Sequence, residues 1–368
     1  MSEKKSSRLF SVDAIRGIDM FFIAGGSVIF VSLKGKTGYQ WVDTLIAQFQ
    51  HSEWHGFTFW DLILPLFLFI AGVSMSFSLK KGMSNKLSKQ SLYKKVAVRM
   101  VILIILGIIY KNKPISFFEP SEIRYVSVLG RIGFACFVTS LLYLNFSVKG
   151  LYYWIIGILI TYYAMLYLIP VPEYGAGDLS IEGNLVGLID RLFLPGRLLN
   201  GSYDELGILT QFPAFCISLF GCIAGDLLQG NQGGNEKTLR LLNIGLIVGV
   251  VGLLWSIHFP INKKLWTSSF VMLTSGMCFI LLSLFYWIID VKGYQKWAFM
   301  FRVIGLNSLA VYFLYRFIDF RAISYHLFGG FYVPVPEQWH GVFNAIGAWS
   351  IVWLLLFGLY KKRVFIKI

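Results

Sequence analysis

The sequence predicts an all-α polytopic membrane protein with about ten transmembrane helices, formed as a single domain over residues 1–368 with both termini in the cytoplasm. Aliphatic, aromatic and sulfur-containing residues make up 56% of the chain and charged residues only 14%, well below what a soluble domain needs to cover its surface. The apolar residues fall in runs close to the length a bilayer demands, roughly 20 residues. Lys and Arg collect in alternate links between those runs, the pattern that orients helices with their positive ends inside.

Taken in order, the expected spans are residues 15–33, 59–79, 96–110, 126–144, 151–169, 208–228, 241–257, 266–289, 303–320 and 342–360. The first follows a basic start (Lys4, Lys5, Arg8). Asp13, Arg16 and Asp19 interrupt its approach and no small-residue cleavage site follows, so it reads as an uncleaved helix rather than a signal peptide. With the N-terminus inside, the links 80–99, 229–240 and 290–302 and the tail 361–368 are cytoplasmic, and they carry 16 of the 33 Lys and Arg. The opposite face receives the segment around His51, the link 111–125, the long stretch 170–207, the turn 259–265 and the segment 321–340. Within the long stretch, Asn184 to Arg191 reads as an amphipathic surface helix stopped by Pro195-Gly196.

The formal charge of +14 is spread over these links and not gathered in aromatic-interleaved patches, which argues for membrane orientation and against nucleic acid. Cys136, Cys216, Cys222 and Cys278 all lie in apolar segments, without disulfide or metal-ligand spacing, and read as buried thiols. The expected location is the inner, cytoplasmic membrane, with lipid as the surrounding partner.

Chemistry concentrates in His51-Ser52-Glu53-Trp54-His55-Gly56, followed by Asp61 and Pro65 at the start of the second span. The order is not the His-Glu-x-x-His of a zinc protease, and no metal is expected. Imidazole is the side chain suited to proton transfer near neutral pH, which makes His51 a candidate base. Asp61, in the first helical turn, reads either as a carboxylate favoured by the helix dipole or as a partner that orients an imidazole. Trp54 reads as an interfacial anchor or as one wall of a sugar site. At the inner end of the first span, Asp13 and Arg16 form a helix-start ion pair or meet the phosphates of a cytoplasmic donor. Arg131, in Gly130-Arg131-Ile132-Gly133, puts a permanent charge inside an apolar helix and needs a partner. Lys263, Lys264, Trp266 and Ser268 make a basic, polar helix start suited to anions. Asn307 and Ser308 are intramembrane polar residues that bind a carbonyl or tie helices together.

These motifs in order resemble the heparan-alpha-glucosaminide N-acetyltransferase family and its bacterial relatives. The pieces are Arg8 to Gly17, His51 to Gly72, Val128 to Gly133, Asn184 through Asp190-Arg191 to Pro195-Gly196, Tyr203-Asp204 with Gly207 and Pro213, Asn262 to Thr267, and Gly305 to Ser308. Where the family often has Asp-Pro-Glu-Gly, this chain reads Asp204-Glu205-Leu206-Gly207. The resemblance implies transfer of acetyl from cytoplasmic acetyl-CoA to the amine of a glucosamine-type sugar beyond the membrane. His51 then serves on the extracytoplasmic side as general base or transient acetyl acceptor, with Asp61 beside it. It further implies donor contacts at Arg16, Arg131, Lys264, Trp266, Ser268 and Asn307, and acceptor contacts at Trp54, His55, Asp190 and Asp204. An O-acyltransferase acting on a polysaccharide hydroxyl and a non-catalytic solute carrier remain the alternatives, and homodimer formation stays open.

Overall fold

Where no water can satisfy backbone amides, apolar chain must close its hydrogen bonds internally, and the apolar segments here all become helix. The computed structural model describes residues 9–112 and 114–366; the basic Lys4, Lys5 and Arg8 lie outside the described residues. The elements run α1 (Phe10–Phe21), a π segment Phe22–Gly26, α2 (Ser27–Val31), α3 (Gln40–Ala47), α4 (Phe59–Ser84), α5 (Lys89–Lys111), α6 (Val128–Asn145) and α7 (Val148–Leu168). They continue through α8 (Leu185–Phe193), α9 (Gln211–Gln229), α10 (Gly234–Trp255), α11 (Ser268–Phe285) with its π extension Tyr286–Val291, α12 (Phe299–Leu306), α13 (Ser308–Phe317), α14 (Phe320–Tyr332) and α15 (His340–Lys361). Among the described residues there is no strand, only the isolated bridges Arg124 to Gly196 and Val171 to Gly175.

Eight of these helices are long and apolar enough to cross a membrane. They are Phe10–Val31, Phe59–Ser84, Val128–Asn145, Val148–Leu168, Gln211–Gln229, Gly234–Trp255, Ser268–Val291 and Glu337–Lys361. The other two expected spans differ for identifiable reasons. The segment expected at 96–110 is the apolar half of α5, whose first turns carry Lys89, Lys94, Lys95 and Arg99. The segment expected at 303–320 is broken at Asn307, which leaves helical geometry (φ −123°, ψ 35°) and separates α12 from α13. The first span is also interrupted, at Ala24 and at Gly25 with φ +95°.

Two compact units emerge. The first comprises Met1–His51, Thr58–Ile63 and Leu282–Ile368. Here α1 and α12 cross at glycines: a Cβ on Gly17 would lie 1.7 Å from the Phe301 carbonyl oxygen, and one on Gly305 would lie 2.0 Å from that of Asp13. The start of α1 is held by Asp290, whose two carboxylate oxygens accept the Phe10 and Ser11 N–H groups at 3.1 Å each. Those are helix-start donors that no carbonyl of α1 can reach.

The second unit comprises Ser52–Phe57 and Leu64–Leu281. Its packing centres on α9, buried along most of its length. Close approach to α4 is again set by small residues. A Cβ on Gly72 would meet the Ser218 carbonyl oxygen at 2.1 Å, and one on Gly221 would meet that of Phe69 at 2.0 Å. Ser218 Oγ donates to the Leu68 carbonyl at 3.1 Å across the same seam. All four cysteines are buried and unbridged.

The segment between α7 and α9 is built on carboxylates. Asn184 caps α8 by accepting the Gly187 N–H at 2.7 Å, and the helix stops at Phe193, before Pro195 and the left-handed Gly196 (φ +74°). Asp190 is fully buried and accepts the N–H groups of Asp204 at 3.1 Å and Ile208 at 2.9 Å. Asp204, also fully buried, takes both Arg124 Nε and Nη2 at 2.7 Å and the N–H groups of Leu199 and Leu206. Burial pushes the Asp190 carboxyl up to about 6, against the two backbone donors that pull it down.

Two outcomes follow from this packing. Gly72→Val should lower the thermal midpoint in detergent, with a stability loss of at least ~1–3 kcal/mol from overpacking against backbone. Gly157→Ala, where an added Cβ meets nothing within 4 Å, should leave the midpoint unchanged or raise it slightly. For Asp190 the protonated form is favoured by folding, because its folded value of about 6 exceeds the ordinary 3.8. Its contribution is therefore fully present below the ordinary value and is lost as pH rises through about 6. The midpoint should fall between about pH 4 and about pH 6, and Asp190→Asn should flatten that part of the profile.

Candidate active site

In the first unit the beginning of α4 organises a histidine. Asp61 is three residues past Thr58, and its side chain reaches back to accept the Thr58 N–H at 3.1 Å, the reciprocal half of a capping box. Gln48 takes two further orphan donors, the Phe59 N–H on its Oε1 at 3.2 Å and the Trp60 N–H on its carbonyl at 2.9 Å. The Thr58 hydroxyl stands 2.7 Å from the Gln50 carbonyl oxygen and 3.1 Å from Asp61 Oδ2, with one proton for the two. The other Asp61 oxygen lies 2.7 Å from His51 Nδ1. Asp61 is fully buried, whereas about a third of the His51 side chain (35%) is exposed. A carboxylate at Nδ1 makes that nitrogen the donor and leaves the lone pair on Nε2, the tautomer of a general base.

In the second unit Trp54 and His55 are fixed by different partners. The indole N–H of Trp54 donates to the Leu179 carbonyl at 2.8 Å, and its ring meets that of Tyr203 edge-on at 5.3 Å. His55 Nδ1 is 3.2 Å from Asn262 Nδ2. Asn262 is fully buried and shapes the turn before α11: its Oδ1 accepts the Leu265 N–H at 2.9 Å, and its own N–H donates to Thr267 Oγ1 at 3.0 Å. Partial burial lowers the His55 imidazole from its ordinary value.

The same unit holds a buried cation. Ser127 caps α6 by accepting the Gly130 N–H at 3.0 Å, which brings Arg131 into the first turn. The Arg131 guanidinium lies 4.5 Å over the Trp266 ring, and its Nη2 donates to the Thr210 hydroxyl. Among the described residues, Arg131 Nε and Nη1 and Trp266 Nε1 are buried without a hydrogen-bond partner. Trp266 also adopts φ +50°, a left-handed conformation that costs a bulky side chain energy. Nearby in sequence, Lys263 and Lys264 stand 3.3 and 3.7 Å from Glu205 Oε2, and Ser268 Oγ donates to the Leu159 carbonyl at 2.7 Å.

Other residues singled out from sequence have structural engagements. Arg16 pairs with Asp13 at 3.6 Å. Asn307 holds the C-terminal stretch, donating to the Val364 carbonyl at 3.2 Å and accepting the Ile366 N–H at 2.9 Å. Asp190 and Asp204 spend their oxygens on backbone amides and Arg124, as described above. Sequence reasoning gave no role to Thr58, Asn262, Thr210 or Glu205. Of these, Thr58 was readable, since Thr58-Phe59-Trp60-Asp61 has capping-box spacing with Asp in place of Glu. Among the described residues no group of three His, Cys, Asp or Glu side chains could hold a metal ion.

Residues 8–168 match a family profile described as a domain of unknown function, DUF5009. Over an alignment 429 positions long, covering 98% of this chain, the sequence is 27% identical to a Homo sapiens protein named heparan-alpha-glucosaminide N-acetyltransferase. The Mus musculus protein of the same name is 26% identical over an alignment of 431 positions, covering 99% of the chain. The chain spans 60% and 61% of the lengths of these two relatives. A helical membrane architecture and similarity along nearly the whole chain make it a distant relative of the heparan-alpha-glucosaminide N-acetyltransferases.

Proposed function

We propose that the chain is a membrane acetyltransferase that moves acetyl from acetyl-CoA to the amine of a glucosamine-type sugar, with His51 as general base on the extracytoplasmic side. The observation that carries this reading is the 2.7 Å contact of His51 Nδ1 with buried Asp61, in a chain related to proteins of that name. A glucosamine ammonium cannot attack a thioester until it loses a proton. The Nε2 lone pair takes that proton, and Asp61 stabilises the imidazolium that results. The freed amine then bonds to the acetyl carbonyl carbon, the carbon–sulfur bond breaks, and the departing thiolate takes up a proton.

The donor is a co-substrate rich in phosphate and carbonyl oxygens. The three unpartnered donors of Arg131 and Trp266 fit such a molecule, since buried N–H groups without acceptors cost about 1–3 kcal/mol each. A guanidinium is also the side chain best shaped for phosphate. Lys264 and Ser268 belong to the same helix start. The arrangement at His51 serves equally a two-step route in which Nε2 itself takes the acetyl group.

Purified protein given acetyl-CoA and glucosamine should release free coenzyme A. His51→Ala should reduce that release by about 10²–10⁴-fold while leaving the thermal midpoint near that of the parent. Asp61→Asn should fall between the two. Unchanged turnover in His51→Ala removes His51 as the base; turnover with hydroxyl sugars but not with glucosamine assigns O-acyl transfer instead.

A further inference from the structure

His51 and His55 stand four residues apart in sequence, but their Nδ1 atoms face chemically opposite partners. At His51 the partner is a carboxylate, which only accepts. At His55 it is the amide nitrogen of Asn262, which only donates. The orientation of that amide is not arbitrary. The Leu265 N–H, 2.9 Å from the other end of the Asn262 amide, can only donate, so the atom it meets is the oxygen and the NH2 group must face His55. Asn262 cannot turn over without setting its NH2 against the Leu265 N–H, and it is fully buried. His55 Nδ1 is therefore an acceptor, and the ring proton resides on Nε2.

From this we propose that His55 is a fixed hydrogen-bond donor, offering Nε2–H to an oxygen of the sugar acceptor. His55 as a residue is exposed to solvent, the side from which a ligand arrives. Because the ring is neutral, it places no positive charge against an ammonium group, while its one outward polar atom demands an oxygen acceptor such as a hydroxyl. Trp54, whose ring stands 6.0 Å from that of His55, has already spent its N–H on Leu179 and adds only an aromatic surface. The assignment rests on the acetyltransferase reading for the identity of the acceptor, but the proton position does not.

The test separates the two. In protein labelled with 15N-histidine, and with the signal assigned by its loss in His55→Gln, the His55 ring at pH near 7 should show the neutral Nε2–H pattern. Adding glucosamine should shift the Nε2–H resonance whether or not acetyl transfer occurs. Asn262→Asp replaces the NH2 donor by an acceptor and should move the proton to Nδ1 or charge the ring. In kinetics, His55→Leu should raise KM for glucosamine about tenfold, the worth of one lost hydrogen bond, with kcat nearly kept. His55→Gln, which retains an amide donor, should recover most of the loss. A proton found on Nδ1 in the parent protein, or a KM unaffected by His55→Leu, overturns the proposal. Absence of any turnover in the parent protein, with the tautomer and the glucosamine shift intact, counts against the acetyltransferase reading alone.

Discussion

The buried carboxylate of Asp61 is the constraint around which the candidate site is organised. Removing an ionised carboxylate from water is costly unless its oxygens find donors, and at the start of α4 they find the Thr58 N–H and the His51 ring. The first turn of a membrane helix has N–H groups with no carbonyl to meet, so the same carboxylate that needs donors relieves donors that need acceptors. Helix start and candidate-site geometry are one structure here. The imidazole is oriented by a group that the helix requires in any case, which explains how a ring with about a third of its surface exposed keeps a defined orientation.

The same solution recurs through the chain. Asp290 holds the start of α1, Asn184 the start of α8, and Asp190 and Asp204 gather four backbone N–H groups between them in the segment before α9. Against this background the unsatisfied groups stand out. Arg131 and Trp266 retain three donors without acceptors among the described residues, although Arg131 already has a hydroxyl and an aromatic face. Arg302 Nε, Asn344 Oδ1 and Trp349 Nε1 are likewise buried without a hydrogen-bond partner among the described residues, but Arg131 and Trp266 lie against one another and bring three such donors together. Asp19 belongs with the other unsatisfied groups, with neither carboxylate oxygen hydrogen-bonded among the described residues.

The fold was legible in the sequence because hydrocarbon leaves the backbone so few options. Runs of apolar residues near 20 long become spans with ends shifted by a few residues, and eight of the expected ten are long, apolar helices. The break at Asn307 was not legible: its amide serves the Val364 carbonyl and the Ile366 N–H, partners far along the chain that no local pattern reveals. At the candidate site, the position of Asp61 in a first turn was foreseen. Which roles the carboxylates play was beyond the sequence. The partners of Asp190 and Asp204, among them Arg124 and the amides of Leu199, Leu206 and Ile208, follow from no local pattern.

The least legible property is the one that distinguishes the two histidines. Imidazole is both donor and acceptor, and only its second partner decides which end does which. For His51 that partner is ten residues away and belongs to the next helix; for His55 it is Asn262, more than two hundred residues on. The backbone cooperates in the second case. Gly56 donates its N–H to the Ile261 carbonyl at 2.8 Å, beside Asn262, and does so with φ +123°, a conformation that favours glycine. A side chain at position 56 would disfavour that turn and, with it, the approach of His55 to the amide. The glycine after the second histidine therefore acts on hydrogen-bond polarity as well as on chain direction, and its place in the His51 to Gly56 motif follows from the geometry of the turn.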